Sequence, residues 1–176
     1  MTNIGVFIDL SNLYYSVYKK WEGMRIDYEK YRERICEDLG FDDPIIKRAM
    51  AYGTETKYAA TQFKGYLKAI GYEPKYKPSR VLDGFNEQKR SFWDIGITID
   101  ALAIAPKLDG IVIGSNNQDL IPLLEKLHYE GLRVAIFSCG IPKILKSYTD
   151  VWLEIDESML VEEKKIEGND PDLEES

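Results

Sequence analysis

Two cysteines, one histidine and the absence of any long apolar run set the first limits on this 176-residue chain. Cys36 and Cys139 stand 103 positions apart, and neither has a second ligand at metal-binding spacing, which argues against a zinc site or a disulfide framework. The expectation is two small buried residues in a reducing compartment. His128 follows Leu127 inside a helical pattern with no sequence partner, so it reads as a surface or boundary residue rather than a base. No stretch approaches the roughly 20 apolar residues that span a bilayer, and no positively charged leader precedes an apolar segment. These absences lead to the expectation of a soluble, cytoplasmic protein without a membrane partner.

What is present suffices for one globular domain. The chain is 44% hydrophobic, enough for a substantial core but short for two domains. The net charge of −7 would discourage a polyanion if it were spread evenly, but it is not. Residues from Glu154 to Ser176 hold ten acids and two lysines, so removing their −8 leaves +1 on Met1 to Leu153. We expect a folded domain over residues 1–160 and an acidic, disordered tail over 161–176. Between Lys57 and Arg90, eight basic residues face three acids. That segment suits a polyanion, although a solvated helix and a charged edge strand would give the same count.

Strand-like and helix-like patterns alternate along the chain. Ile4, Val6, Phe7 and Ile8 form a run that wants burial on both faces, as in a central parallel strand. Further strands are expected at Ile45–Tyr52, Tyr72–Lys77, Gly110–Gly114 and Leu132–Phe137, with a last short one at Val151–Leu153. Pro74 and Pro78 confine the third to a sheet edge. Helices are expected at Leu13–Lys20, Tyr28–Leu39, Lys57–Ile70, Asp94–Ala105, Asp119–Tyr129 and Pro142–Tyr148. The alternation predicts an α/β fold: a doubly wound parallel sheet in strand order 3-2-1-4-5, with helices on both faces and right-handed crossovers.

In that order the first and fourth strands are neighbours at the switch point, where ligands bind beyond the carboxyl ends of the strands. Asp9 and Asn12 leave the first strand there, and Ser115, Asn116, Asn117, Gln118 and Asp119 leave the fourth. Taken alone, Asp9 has two readings, a helix cap and a functional carboxylate.

The segments Phe-Ile-Asp-Leu-Ser-Asn, ending at Asn12, Trp-Asp-Ile-Gly-Ile-Thr-Ile-Asp, ending at Asp100, and Ile-Val-Ile-Gly-Ser-Asn-Asn-Gln-Asp-Leu-Ile-Pro-Leu, ending at Leu123, resemble the NYN domain. That family belongs to the PIN-like nuclease fold and includes the LabA-like proteins. Its pattern is an apolar strand ending in Asp with Asn three residues later, an Asp followed by another six positions on, a Ser-Gly-Asp-Ser-Asp-Phe-x-Pro-Leu loop, and Gly-x-x-Val before a strand. The matching positions are Asp9 and Asn12, Asp94 and Asp100, Ser115 to Leu123, and Gly131 with Val134. Ser147 to Asp150 resembles the closing segment.

The resemblance implies a metal-dependent nuclease acting on RNA ahead of DNA, with a homodimer as a possible assembly. Phosphodiester hydrolysis calls for an activated water and relief of charge on the phosphate, which Mg²⁺ or Mn²⁺ held by carboxylates supplies. It assigns Asp9, Asp94 and Asp119 as metal ligands and catalytic residues, with Asn117 and Asp100 in the catalytic set. Asn12, Ser115, Lys89 and Arg90 are the substrate-binding candidates. Asp100 lies some 120° around its helix from Asp94, so it faces the site only if the helix begins irregularly, and a place outside the site is the other reading. One departure matters most: Asn116-Asn117-Gln118-Asp119 stands where the family has Gly-Asp-Ser-Asp, so a loop carboxylate has become the amide of Asn117. An amide carries no charge and cannot serve as a general base. A catalytically weak or inactive nucleic-acid-binding protein is therefore the alternative.

Overall fold

A computed structural model describes residues 1–55, 60–78 and 93–163. Strand β1 (Thr2–Asp9) lies at the centre of a six-stranded parallel sheet, as its doubly buried apolar run requires. It pairs with β3 (Pro44–Glu55) on one side and β5 (Gly110–Gly114) on the other. Beyond β3 lies β4 (Glu73–Pro78), and beyond β5 lie β6 (Arg133–Ser138) and β7 (Val151–Glu154). This is the expected order with the sixth strand added, and the proline-bearing β4 is an edge strand.

Alternation along β1 divides the core in two. Ile4, Val6 and Ile8 face helices α1 (Leu10–Lys20), α2 (Tyr28–Asp38) and α3 (Ala60–Ala69), whereas Phe7 faces α4 (Asp94–Ile104), α5 (Ile121–Tyr129) and α6 (Lys143–Lys146). On the first face, fully buried Tyr31 stacks on Phe137 with ring centroids 4.1 Å apart, and its hydroxyl donates to the Phe137 carbonyl at 2.6 Å. That packing explains the glycine ending β5. A Cβ on Gly114 would fall 2.6 Å from Ile8 Cγ2 and 2.7 Å from Tyr31 Oη. Gly114→Ala should cost about 1–3 kcal/mol in urea unfolding, with no change in the slope that reports surface exposure.

One feature was not expected. Strand β2 (Met24–Ile26) pairs antiparallel with β8 (Leu160–Glu162), forming a ribbon outside the main sheet. The Glu163 N–H donates to the Gly23 carbonyl at its end. The ribbon crosses the domain boundary expected at residue 160, because three-residue strands leave too little pattern to read. The expected tail from residue 164 onward lies outside the described residues. Cys139 is buried and Cys36 half-buried, both as free thiols. No helix among the described residues is long and apolar enough to cross a membrane.

Candidate functional site

The strand registers lay a polar row across the carboxyl ends of the sheet. Asp9 pairs with Tyr52, and Tyr52 with Lys75. Ile8 pairs with Gly114 and Ile113 with Ile136, so Asp9 and Ser115 follow next along their chains at neighbouring strand ends, while Ser138, at the end of β6, pairs with Glu154. Because Phe7, Met50, Ile111, Ile113 and Ile136 line the second core, the alternating residues Asp9, Tyr52, Ser115 and Ser138 point to that same face. Helix α4 and the turn Gln118–Leu120 rise over this row.

Asp9 is 4% exposed and caps α1, its Oδ1 accepting from the Asn12 N–H at 3.0 Å. Capping and burial thus coincide, and the two readings of this residue do not compete. Burial pushes its carboxyl up to about 6, opposed by the Asn12 N–H and reinforced by the charge of Asp94. A structural cap has no need of such a cost, and perturbed carboxylates collect at functional sites.

Two asparagines close the switch point. Asn12 Nδ2 donates to Asn116 Oδ1 at 2.9 Å, and the Asn116 N–H donates back to Asn12 Oδ1 at 3.0 Å. Asn116 Nδ2 further donates to Ser16 Oγ and to the Cys139 carbonyl. Asn116 stands where the family has glycine, yet its backbone is not left-handed, Asp43 being the only described non-glycine residue at positive φ. The amide of Asn116 instead ties α1 to the ends of β5 and β6.

Asn117 makes the other decisive contacts. Its Oδ1 accepts from the Asp119 N–H at 3.1 Å, capping the turn, and its Nδ2 donates to Asp94 Oδ1 at 2.9 Å. Its own N–H donates to the buried Ser115 hydroxyl at 3.2 Å. Burial raises the Asp94 carboxyl above its ordinary range, the Asn117 amide opposes the rise, and the charge of Asp119 adds to it. Asp119 is exposed at the mouth.

The structure thus brings Asp9, Asn12, Asp94, Ser115, Asn117 and Asp119 to one crevice. Asp100 joins the β3–β4 end of the polar row and not the β1–β5 switch point: its Oδ2 accepts from the Tyr52 hydroxyl at 2.9 Å and from Lys75 Nζ at 2.8 Å, pinning α4 to β3 and β4. Lys89 and Arg90 lie outside the described residues. Sequence reasoning passed over Trp93 and Lys77. The indole N–H donates to the Gly53 carbonyl at 2.9 Å, and the Lys77 ammonium sits 4.5 Å from the indole ring centre, favouring the charged forms of Asp9 and Asp94. Their signal was position, at the end of an edge strand and at the start of α4. Two further lysines of the basic segment are engaged, Lys64 with Glu55 at 3.0 Å and Lys75 with Asp100 at 2.8 Å. His128, expected to lack a partner, meets Asp150 at 2.9 Å through Nε2.

The donor set can be compared with what a hard divalent ion wants. Among the described residues no group of three or more His, Cys, Asp or Glu side chains is placed to hold a metal ion. Asp94 has one oxygen committed to the Asn117 amide, and Asp9 one to the cap.

A doubly wound parallel sheet with acids and amides gathered where β1 and β5 end defines a PIN-like α/β protein. The chain belongs to the NYN domain family, whose model matches residues 3–156. That fold is associated with nucleic-acid metabolism. A crystal structure of a protein of unknown function from Vibrio parahaemolyticus superposes with a TM-score of 0.77 at 22% identity, covering 91% of this chain and 96% of that one. At that identity the likeness concerns the fold. Among curated proteins no sequence matches.

Proposed function

We propose that this protein binds nucleic acid, RNA ahead of DNA, along the crevice at the ends of β1 and β5, and that its phosphodiester hydrolysis is weak or lost. The observation that supports this reading is the Asn117 amide bonded to Asp94 at 2.9 Å. A carboxylate at position 117 would set like charges side by side and call for a cation between them. The amide satisfies Asp94 with a neutral N–H, and the nearby Lys77 ammonium supplies positive charge without a metal. The competing reading is an Mg²⁺- or Mn²⁺-dependent ribonuclease held by Asp9, Asp94 and Asp119. It draws support from the mutual effect of these acids, Asp94 raising Asp9 and Asp119 raising Asp94.

Labelled RNA and DNA oligonucleotides, titrated with the full chain and followed by anisotropy and by gel, separate the two. Binding should persist in chelator, and the strands should stay intact when Mg²⁺ or Mn²⁺ is added. Rapid cleavage in Mn²⁺ that stops in chelator would replace the binding protein with the enzyme. Affinity should fall steeply with salt, and charge reversal at Lys89 and Arg90 should flatten that slope by about one per lost phosphate contact. A slope unchanged by the reversal removes these two residues from the interface.

A further inference from the structure

Helix α1 carries the crevice at its first turn, through Asp9 and Asn12, and then runs out across the surface. Leu10, Leu13 and Val17 are buried against the sheet, and Ser16 is held by Asn116. Every exposed residue of the helix is a tyrosine or a lysine: Tyr14, Tyr15, Tyr18, Lys19 and Lys20. The tyrosines keep 36%, 47% and 42% of their surface in solvent. Their spacing on a helix would suit core packing, yet the core is made by other residues. Tyr14 meets Tyr15 edge-on at 5.6 Å and lies roughly parallel to Tyr18 at 6.0 Å, and its hydroxyl donates to Glu163 Oε2 at 3.4 Å. The three rings are therefore mutually supported rather than free to swing. At the far end the Lys20 ammonium lies 4.2 Å from the Trp21 ring centre.

An ordinary solvated helix face mixes acids with lysines. The helix itself contributes no acid to this one; Glu163 reaches it from outside, at the Tyr14 hydroxyl. Flat rings with a polar edge, followed by two cations, match a ligand that presents flat bases and phosphates together. In a duplex the base faces are occupied by their neighbours, so the match is to a single strand. From Asn12 to Lys20 the helix advances about 12 Å, which gives a strand leaving the crevice a continuous path.

We infer that the exposed face of α1 is a stacking platform for single-stranded nucleic acid, with Tyr15 and Tyr18 receiving bases and Lys19 and Lys20 meeting phosphates. The inference rests on the nucleic-acid reading above and adds to it the kind of strand bound and the surface that receives it.

The test uses the full chain in chelator with labelled oligouridylate and oligothymidylate. The double variant Tyr15→Ala, Tyr18→Ala should bind both at least about tenfold more weakly, given the usual worth of a base on an aromatic ring. The double variant Tyr15→Phe, Tyr18→Phe keeps the rings and should bind within about twofold of the parent, stacking being independent of the hydroxyl. Substituting Lys19 and Lys20 with Gln should lower the salt slope, whereas the alanine pair should leave it unchanged. Alanine variants that bind like the parent overturn the platform while leaving the crevice reading intact. A parent that binds neither strand overturns both, and a duplex that competes as well as the single strand overturns the platform. Should the alanine pair fail to fold, photocrosslinking of 5-iodouridine oligonucleotides to the parent decides the matter: adducts on Tyr15 or Tyr18 support the platform, and their absence from α1 overturns it.

Discussion

Replacing Asp9 with asparagine should make the protein more stable at neutral pH, by about 3 kcal/mol, and should make no difference below about pH 4. Burial raises this carboxyl from 3.8 to about 6. Between those values the folded state holds a proton that the unfolded state has released, so this group's contribution to stability falls as pH rises through the window. The cost is absent below about 3.8 and complete above about 6. At about 1.4 kcal/mol per pKa unit it amounts to about 3 kcal/mol for the ionised group. Asparagine keeps an oxygen to accept from the Asn12 N–H, and it is as good a cap as aspartate, so the substitution removes the charge and little else. Urea unfolding of both proteins at pH 7 and pH 4 isolates the effect, because other carboxylates titrate alike in the two. A variant less stable than the parent at pH 7 would mean that the charge of Asp9 is better supported than its burial implies, with Lys77 the first candidate for that support. A gain in stability would show that the fold retains a costly charge in its crevice, as a site kept for function does.

The charge of Asp9 was not legible in the sequence, but its position was. The apolar run from Ile4 to Ile8 placed β1 in the middle of the sheet, and the strand alternation placed β5 beside it. From those two facts the meeting of Asn12 with the Ser115–Asp119 loop follows, since the switch point lies between neighbouring strands. What failed to show was anything decided by side-chain direction or by very short pairing. The β2–β8 ribbon joins two three-residue strands from opposite ends of the chain, and no period can reveal that. Asp100 looked like part of an acidic pattern, but the turn of α4 carries it to Tyr52 and Lys75. Asn116, which stands where the family has glycine, is a hydrogen-bond hub, and nothing in the sequence showed that. Lys77 drew no attention among other lysines, because what matters is its end-of-strand position over Trp93.

Converting Asn117 to aspartate tests the crevice at its departure from the family pattern. The new carboxylate would still accept from the Asp119 N–H, so the cap on the turn survives. The donor to Asp94 would not. In its place two carboxylates would face each other, with the exposed Asp119 adjacent and buried Asp9 behind. In chelator the variant should lose about 1–3 kcal/mol, the cost of an unsatisfied acceptor with like charge added. Mn²⁺ should then recover that loss and more, since like-charged carboxylates tolerate one another when a cation lies between them. At a hundred times its dissociation constant the ion would return about 2.7 kcal/mol by mass action on the folded state. The parent should gain far less from the same Mn²⁺, and cleavage of RNA, if the rest of the site is competent, should rise in the variant alone. Thermal melts of both proteins with and without Mn²⁺, beside calorimetric titration and an RNA gel, give the answer. A variant that binds Mn²⁺ no better than the parent would mean that the crevice is not a metal site one ligand short, and its acids would then be read as shaping a binding surface.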